Sequence, residues 1–185
     1  MNNEPVRTPC VGMCSTTYGD MVCRGCRRFA HEIIDWNRYD EAQKRAVTNR
    51  LNQLRDQVVR GRIEVVDPDR LDAQLRDHRI PVDPDASPAS RAYLLLRRGA
   101  RHIQRLEAYG LAVRSEYAAL EVVELRDLID RDLQTLSEAH FERYFEPLLR
   151  DPAAARDAGP TAGPSADSTS VAAVAGAAAG GTIAR

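Results

Sequence analysis

The chain has 185 residues, 43% of them hydrophobic and 29% charged, with a net charge of −1. That is room for one ordinary domain or two small ones with a tail, and the near-neutral balance gives no general attraction to nucleic acid or anionic lipid. No apolar run approaches the roughly 18 residues of a membrane span, and the first residues lack the apolar centre of a secretory signal, so no membrane role and a reducing, cytoplasmic setting are expected.

All four cysteines lie near the N-terminus, at Cys10, Cys14, Cys23 and Cys26, with Tyr18-Gly19-Asp20 reading as a turn between the two pairs. Phe29, Ile33 and Trp36 then follow helical steps and predict one aromatic-aliphatic stripe on a short helix. Asp40, with Gln43 three residues on, has the form of a capping box. It opens a helix carrying Val47, Leu51, Leu54 and Val58 inward, and Gly61 is its expected stop. Asp67-Pro68 predicts a second start, with Leu71 and Leu75 facing the core.

Three prolines between Ile80 and Pro88 read as a linker, and Ser87-Pro88 repeats the cap-and-proline device. The following helix is expected to place Leu95, Gly99, His102 and Leu106 on one face, with Gly110 ending or kinking it. From about Ala112 another helix is expected, carrying Val122, Leu125, Ile129 and Leu133, and Ser137 is the expected cap of a last short one. No strand longer than the cysteine hairpin is expected. After Arg150 the composition collapses to Ala, Gly, Ser, Pro and Thr, too poor in large apolar groups to offset ordering entropy. The predicted fold is mainly α: a four-cysteine metal-binding module with helices over 1–62, a short helix and Pro-rich linker over 63–87, a helical hairpin or small bundle over 88–149, and a disordered tail over 150–185.

The spacing C-x3-C-x8-C-x2-C suits one metal centre, because so short a loop cannot bury enough apolar area to hold a shape alone. A metal joined to both pairs turns binding free energy into folding free energy. Thiolates suit both zinc and iron–sulfur clusters, and the spacing alone leaves these two open. Gly12 and Gly25, one within each pair, let the backbone turn its amides toward sulfur. Arg24, Arg27 and Arg28 flank the second pair and would offset the net −2 charge of a four-thiolate centre. Two disulfides are the plainer alternative, disfavoured in a reducing compartment. A thiol oxidoreductase using Cys23 and Cys26 lacks the strand-helix setting such motifs usually have.

Pro-Cys-Val-Gly-Met-Cys from Pro9, Val-Cys-Arg-Gly-Cys-Arg-Arg from Val22, the His-Glu-Ile-Ile-Asp-Trp run from His31 and the acidic-capped helix after it stand in a specific order. In this order they resemble a small bacterial domain of unknown function, the YdhL-like predicted iron–sulfur proteins. The resemblance covers about the first third of the chain. It implies an iron–sulfur cluster on Cys10, Cys14, Cys23 and Cys26, with Zn²⁺ as the alternative.

The expected function is that of a small metal-binding accessory protein whose helical region meets a protein partner. The rival is a zinc-stabilised interaction module that binds protein or nucleic acid without redox chemistry. His31 is expected to be an ordinary surface residue near the site, Trp36 a core residue on the Phe29–Ile33 face, and His102 an interface histidine. Lys44, Arg45, Arg50 and Arg55 are expected to form a solvated basic face, interrupted by Asp40, Glu41 and Asp56. No nucleophile elbow, triad or phosphate-binding glycine loop is present in the sequence, so no catalytic residue is expected.

Overall fold

A computed structural model describes residues 5–83 and 85–146 of the chain. The stretch expected to form a disordered tail, 150–185, lies outside them. The fold is mainly α, as the periodicities predict. The cysteine loop leads through a 3-10 turn, Ser15–Tyr18, into α1 (Ala30–Ile34) and α2 (Glu41–Arg60). Then follow β1 (Ile63–Val65), α3 (Pro68–Asp77), α4 (Pro88–Gly99), β2 (Leu111–Val113) and α5 (Val122–Tyr144).

The predicted helix starts are built as expected. The Asp40 carboxylate accepts from the Gln43 amide at 2.8 Å, and the Gln43 side chain accepts from the Asp40 amide at 2.9 Å. Asp67 and Ser87 cap α3 and α4 by accepting from the Arg70 and Ser90 amides. In each case proline follows, where its missing N–H is not needed. Gly61 ends α2 in a right-handed conformation.

Leu54 and Val58 of α2, Leu71 of α3, Leu96 of α4 and Leu125 and Ile129 of α5 share one core cluster. Each such side chain removed from water contributes about 1.5–3 kcal/mol. α2 packs against both α4 and α5, so the helix that follows the cysteine loop is also a wall of the helical core.

Several expectations are corrected. β1 and β2 form a two-stranded antiparallel sheet, Ile63 opposite Val113, where no strand was expected: three residues are too few for a period-2 pattern to show. The helix expected to run on toward Gly110 leaves α geometry after Gly99, continuing only as 3-10 turns at Ala100–His102 and Leu106–Tyr109. His102 is consequently exposed and not an interface residue. The stretch after Ala112 begins as β2, and α5 starts only at Val122. Ser137 does not cap a new helix. It lies buried inside α5 with its hydroxyl donating to the Leu133 carbonyl at 2.6 Å, the local bond serine makes in a helix interior. Lastly, α1 ends at Ile34, so Phe29 and Trp36 are both buried but join different clusters, Trp36 packing with Val47 and Leu51.

Gly110 joins β2 to the start of α3. Its carbonyl accepts from the Val66 and Asp67 amides, its φ is +74°, and a Cβ there would stand 2.3 Å from the Asp67 carbonyl oxygen. Only glycine satisfies both the left-handed backbone and this approach.

Arg50 and Arg55 are not on a solvated face. Arg50 reaches in from α2 to both carboxylate oxygens of Glu32, at 2.9 and 2.7 Å, and lies 3.7 Å over the Phe29 ring. Glu32 is 1% exposed and also accepts from the Phe29 amide, so the pair welds α1 to α2. Removing one partner of such a pair leaves a buried charge alone, at about 3–5 kcal/mol. Glu32→Ala is expected to lower unfolding stability by that order in urea titration, and Glu32→Leu combined with Arg50→Leu is expected to recover much of it.

His31 is half-buried against Phe29 and Phe145, not an ordinary surface residue, and burial lowers its pKa. His140 of α5 shares this aromatic cluster. Burial, then repulsion from Arg50, holds it down to about 4 from its ordinary 6.5. A depressed folded-state value means that the unfolded chain takes up the proton first. Stability should therefore fall as pH drops from 6.5 toward 4 and level off below. Thermal unfolding followed from pH 7 to pH 5 should show a smaller loss in His140→Phe than in the parent chain.

Candidate metal centre

Cys23 and Cys26 lie in a tight hairpin turn. The Cys23 amide donates to the Arg28 carbonyl at 2.9 Å, the Arg27 amide donates to the Cys23 carbonyl at 2.8 Å, and Val22 bridges to Phe29 across the base. Arg27 takes the left-handed conformation that closes the turn, φ +65°. Both cysteines are buried, at 1% and 5% exposure.

The electrostatics of the two sulfurs differ. Burial pushes the Cys23 thiol up, but backbone amides of Cys26, Ser15 and Gly25, with the Cys26 thiol, outweigh it and bring the value down to about 7. Donors that stabilise the charged form make Cys23 the natural thiolate of the pair. Burial dominates at Cys26 and raises it, opposed by Arg28, whose Nε donates to the sulfur at 3.4 Å. Arg28 is itself buried, with its guanidinium 4.7 Å over the Trp36 ring.

The first cysteine pair runs alongside this turn. The Met13 carbonyl stands 3.7 Å from Cys23 Sγ, and the Arg24 amide donates to Ser15 Oγ at 2.9 Å. Cys14 is half-buried with its sulfur 3.0 Å from Thr16 Oγ1, and Cys10 is exposed. Among the described residues no three His, Cys, Asp or Glu side chains are gathered so as to hold a metal ion. The structure thus brings Cys23 and Cys26 together and lays the segment bearing Cys10 and Cys14 against them, without drawing all four sulfurs into one cluster. The chemistry of the donor set still fits a soft metal centre: four thiols, two of them buried in one turn, and backbone donors that favour the thiolate of Cys23.

The residues expected around the site divide. Gly12 has φ +89° and open space around it. Gly25 supplies an amide to Cys23 and admits close approach, since a Cβ there would stand 2.5 Å from the Met13 carbonyl and 2.9 Å from Val11 Cγ2. Of the three flanking arginines only Arg28 donates to a thiol. Arg24 pairs with Asp20, and Arg27 turns away to bond the carbonyl and carboxylate of Asp130 on α5.

Sequence reasoning missed the supports that come from far along the chain. Arg97 of α4 donates to the Gly25 carbonyl at 2.7 Å, and Gln134 of α5 to the Val22 carbonyl at 3.3 Å. Phe29 packs against Phe141 and Phe145, with ring centroids 5.1 and 4.7 Å apart. An arginine at a helix end gives no sequence signal that its partner is a carbonyl 72 residues away.

Gly25→Ala should force the two cysteine segments apart, with an overpacking loss of about 1–3 kcal/mol. A lowered unfolding midpoint with faster alkylation of Cys23 and Cys26 is the expected result.

Residues 8–55 match the model of a family described as a protein of unknown function (DUF1289). The matched stretch takes in the cysteine loop, α1 and most of α2, and leaves out every element that contributes Arg97, Asp130 or Gln134. No curated protein and no solved structure matches the chain.

Proposed function

We propose that Cys10, Cys14, Cys23 and Cys26 hold one metal centre, and that the centre is an iron–sulfur cluster in a small accessory protein. The observation that carries the reading is the Cys23–Cys26 turn, which buries both thiols with the Met13 carbonyl of the first pair's segment 3.7 Å from Cys23 Sγ, while backbone donors bring the Cys23 pKa down to about 7. Donors of this kind stabilise thiolate whether or not it is bonded to metal, and they set the potential of a cluster that is. The resemblance of the cysteine loop to predicted iron–sulfur proteins favours iron over zinc. Such a cluster would supply one-electron chemistry; the protein's part is to hold the thiolates, offset their charge through Arg28 and limit solvent at the buried pair. The other side of the site is open. Four of the seven large apolar side chains that stand exposed among the described residues, Val11, Met13, Tyr18 and Met21, rim this loop, where an electron-transfer partner would approach.

The second reading is a zinc-stabilised module. Four protein thiolates leave no open position for substrate, so the metal would be structural.

The test is purification without oxygen, followed by elemental analysis and a visible spectrum. Iron with sulfide and a colour bleached by dithionite support the first reading. About one colourless zinc per chain replaces it with the second, and a chain free of both metals overturns the proposal. Cys10→Ser and Cys23→Ser are each expected to lose metal, with the larger loss of stability at the buried Cys23.

A further inference from the structure

The geometry points to Arg97 as a positioning residue for the Cys23–Cys26 turn, acting through the single peptide group that joins Gly25 to Cys26. Its guanidinium donates to the carbonyl of that peptide at 2.7 Å; a Cβ at Gly25 would stand 3.6 Å from the Cys23 sulfur, and the N–H of the same peptide, on Cys26, leads the effects that lower the Cys23 pKa. One rigid planar unit therefore has a cation at its oxygen end and a thiol at its hydrogen end. A charge-assisted bond at the oxygen polarises the amide and strengthens the bond its hydrogen makes. It also fixes the plane, so that the N–H cannot swing away from sulfur.

The placement of Arg97 is hard to explain by stability alone. It lies close to Arg55 and Tyr93, and its charge repels that of Arg55, which burial already disfavours. Arg27 adds a third guanidinium to this seam, with two of its nitrogens buried and without hydrogen-bond partners. Two carboxylates lie there: Asp130 is engaged by Arg27 and by the Tyr93 hydroxyl at 2.6 Å, and Asp56, close to Arg55, accepts from the Ser87 and Ser90 hydroxyls. Three guanidinium groups outnumber these two carboxylates and repel one another, and directing the charge of Arg97 elsewhere relieves that repulsion. The Gly25 carbonyl directs it toward the thiol pair. Arg97 also lies outside the matched stretch 8–55, so this assigns α4 a share in the cysteine site that the family match does not contain.

The inference rests on the metal-centre reading for its metal readouts and on the turn alone for its thiol readout. The test compares Arg97→Met, Arg97→Lys and, as a charge control, Arg98→Met, whose parent side chain is exposed one residue on. Zn²⁺ affinity is measured by chelator competition, the sulfur-to-metal charge-transfer band with Co²⁺, and the alkylation rate of Cys23 in the metal-free protein by peptide mass spectrometry.

Arg97→Met is expected to weaken Zn²⁺ binding by about tenfold, as loss of an outer hydrogen-bond partner commonly does. It should also move the Co²⁺ band to longer wavelength and slow alkylation of Cys23 near neutral pH. Arg97→Lys should recover part of each change, Arg98→Met should show none, and the metal-free melting temperature should hold or rise as the repulsion with Arg55 is relieved. Unchanged readouts in folded Arg97→Met overturn the inference. So does an equal change in Arg98→Met, or a fall in metal-free melting temperature that accounts for the rest. If Arg97→Met does not fold, Arg97→Lys decides by the same readouts: an intermediate change supports the inference and parent-like values overturn it. If the parent chain binds neither Zn²⁺ nor Co²⁺, the metal-centre reading fails and the alkylation rates alone decide the role of Arg97.

Discussion

The peptide turn between Val22 and Phe29 is too short to bury itself, and its shape is imposed by what surrounds it. Arg97 and Gln134 bond its carbonyls, Asp130 holds Arg27, and Phe141 and Phe145 enclose Phe29. These contacts come from α4 and α5. They let the turn keep two cysteines inside the molecule with backbone donors that favour the thiolate of Cys23, an arrangement a free loop of this length could not sustain against its conformational entropy.

The arginines explain much of how the cysteine segment and the helical core become continuous. Arg50 is paired with Glu32 beneath the Phe29 ring, Arg28 is spread over Trp36 while touching Cys26, and Arg55 lies 5.1 Å over the Tyr93 ring. A planar, weakly hydrated guanidinium can be buried against an aromatic face while its edge donates to oxygen or sulfur, which a lysine ammonium does less well. The seam is therefore polar as well as apolar. Its charge is not fully balanced among side chains, and that imbalance makes the backbone carbonyls of the cysteine turn favourable partners.

The helix starts were legible in the sequence because capping is local: Asp40, Asp67 and Ser87 each find their partner three residues away, and the prolines after two of them have one compatible place. The inward faces of α2 and α5 were legible for the same reason, through residues three and four apart. The break after Gly99, the continuity of α5 through Ser137 and the sheet of β1 with β2 were not. The sheet uses strands too short to carry a period and is tied to the start of α3 by the Gly110 carbonyl, while Ser137 satisfies its hydroxyl on Leu133 within α5, a choice that its identity as a cap-forming residue does not reveal.

For the site, the sequence by itself determined the donor set: four thiols in two pairs, with glycines within the pairs and arginines beside them. Which thiols are buried, which arginine touches sulfur and which helices hold the turn were decided only by tertiary structure. The physical reason is range. Covalent spacing limits what a cysteine pair can reach, whereas burial and long hydrogen bonds such as that from Arg97 to Gly25 depend on how α2, α4 and α5 share one core.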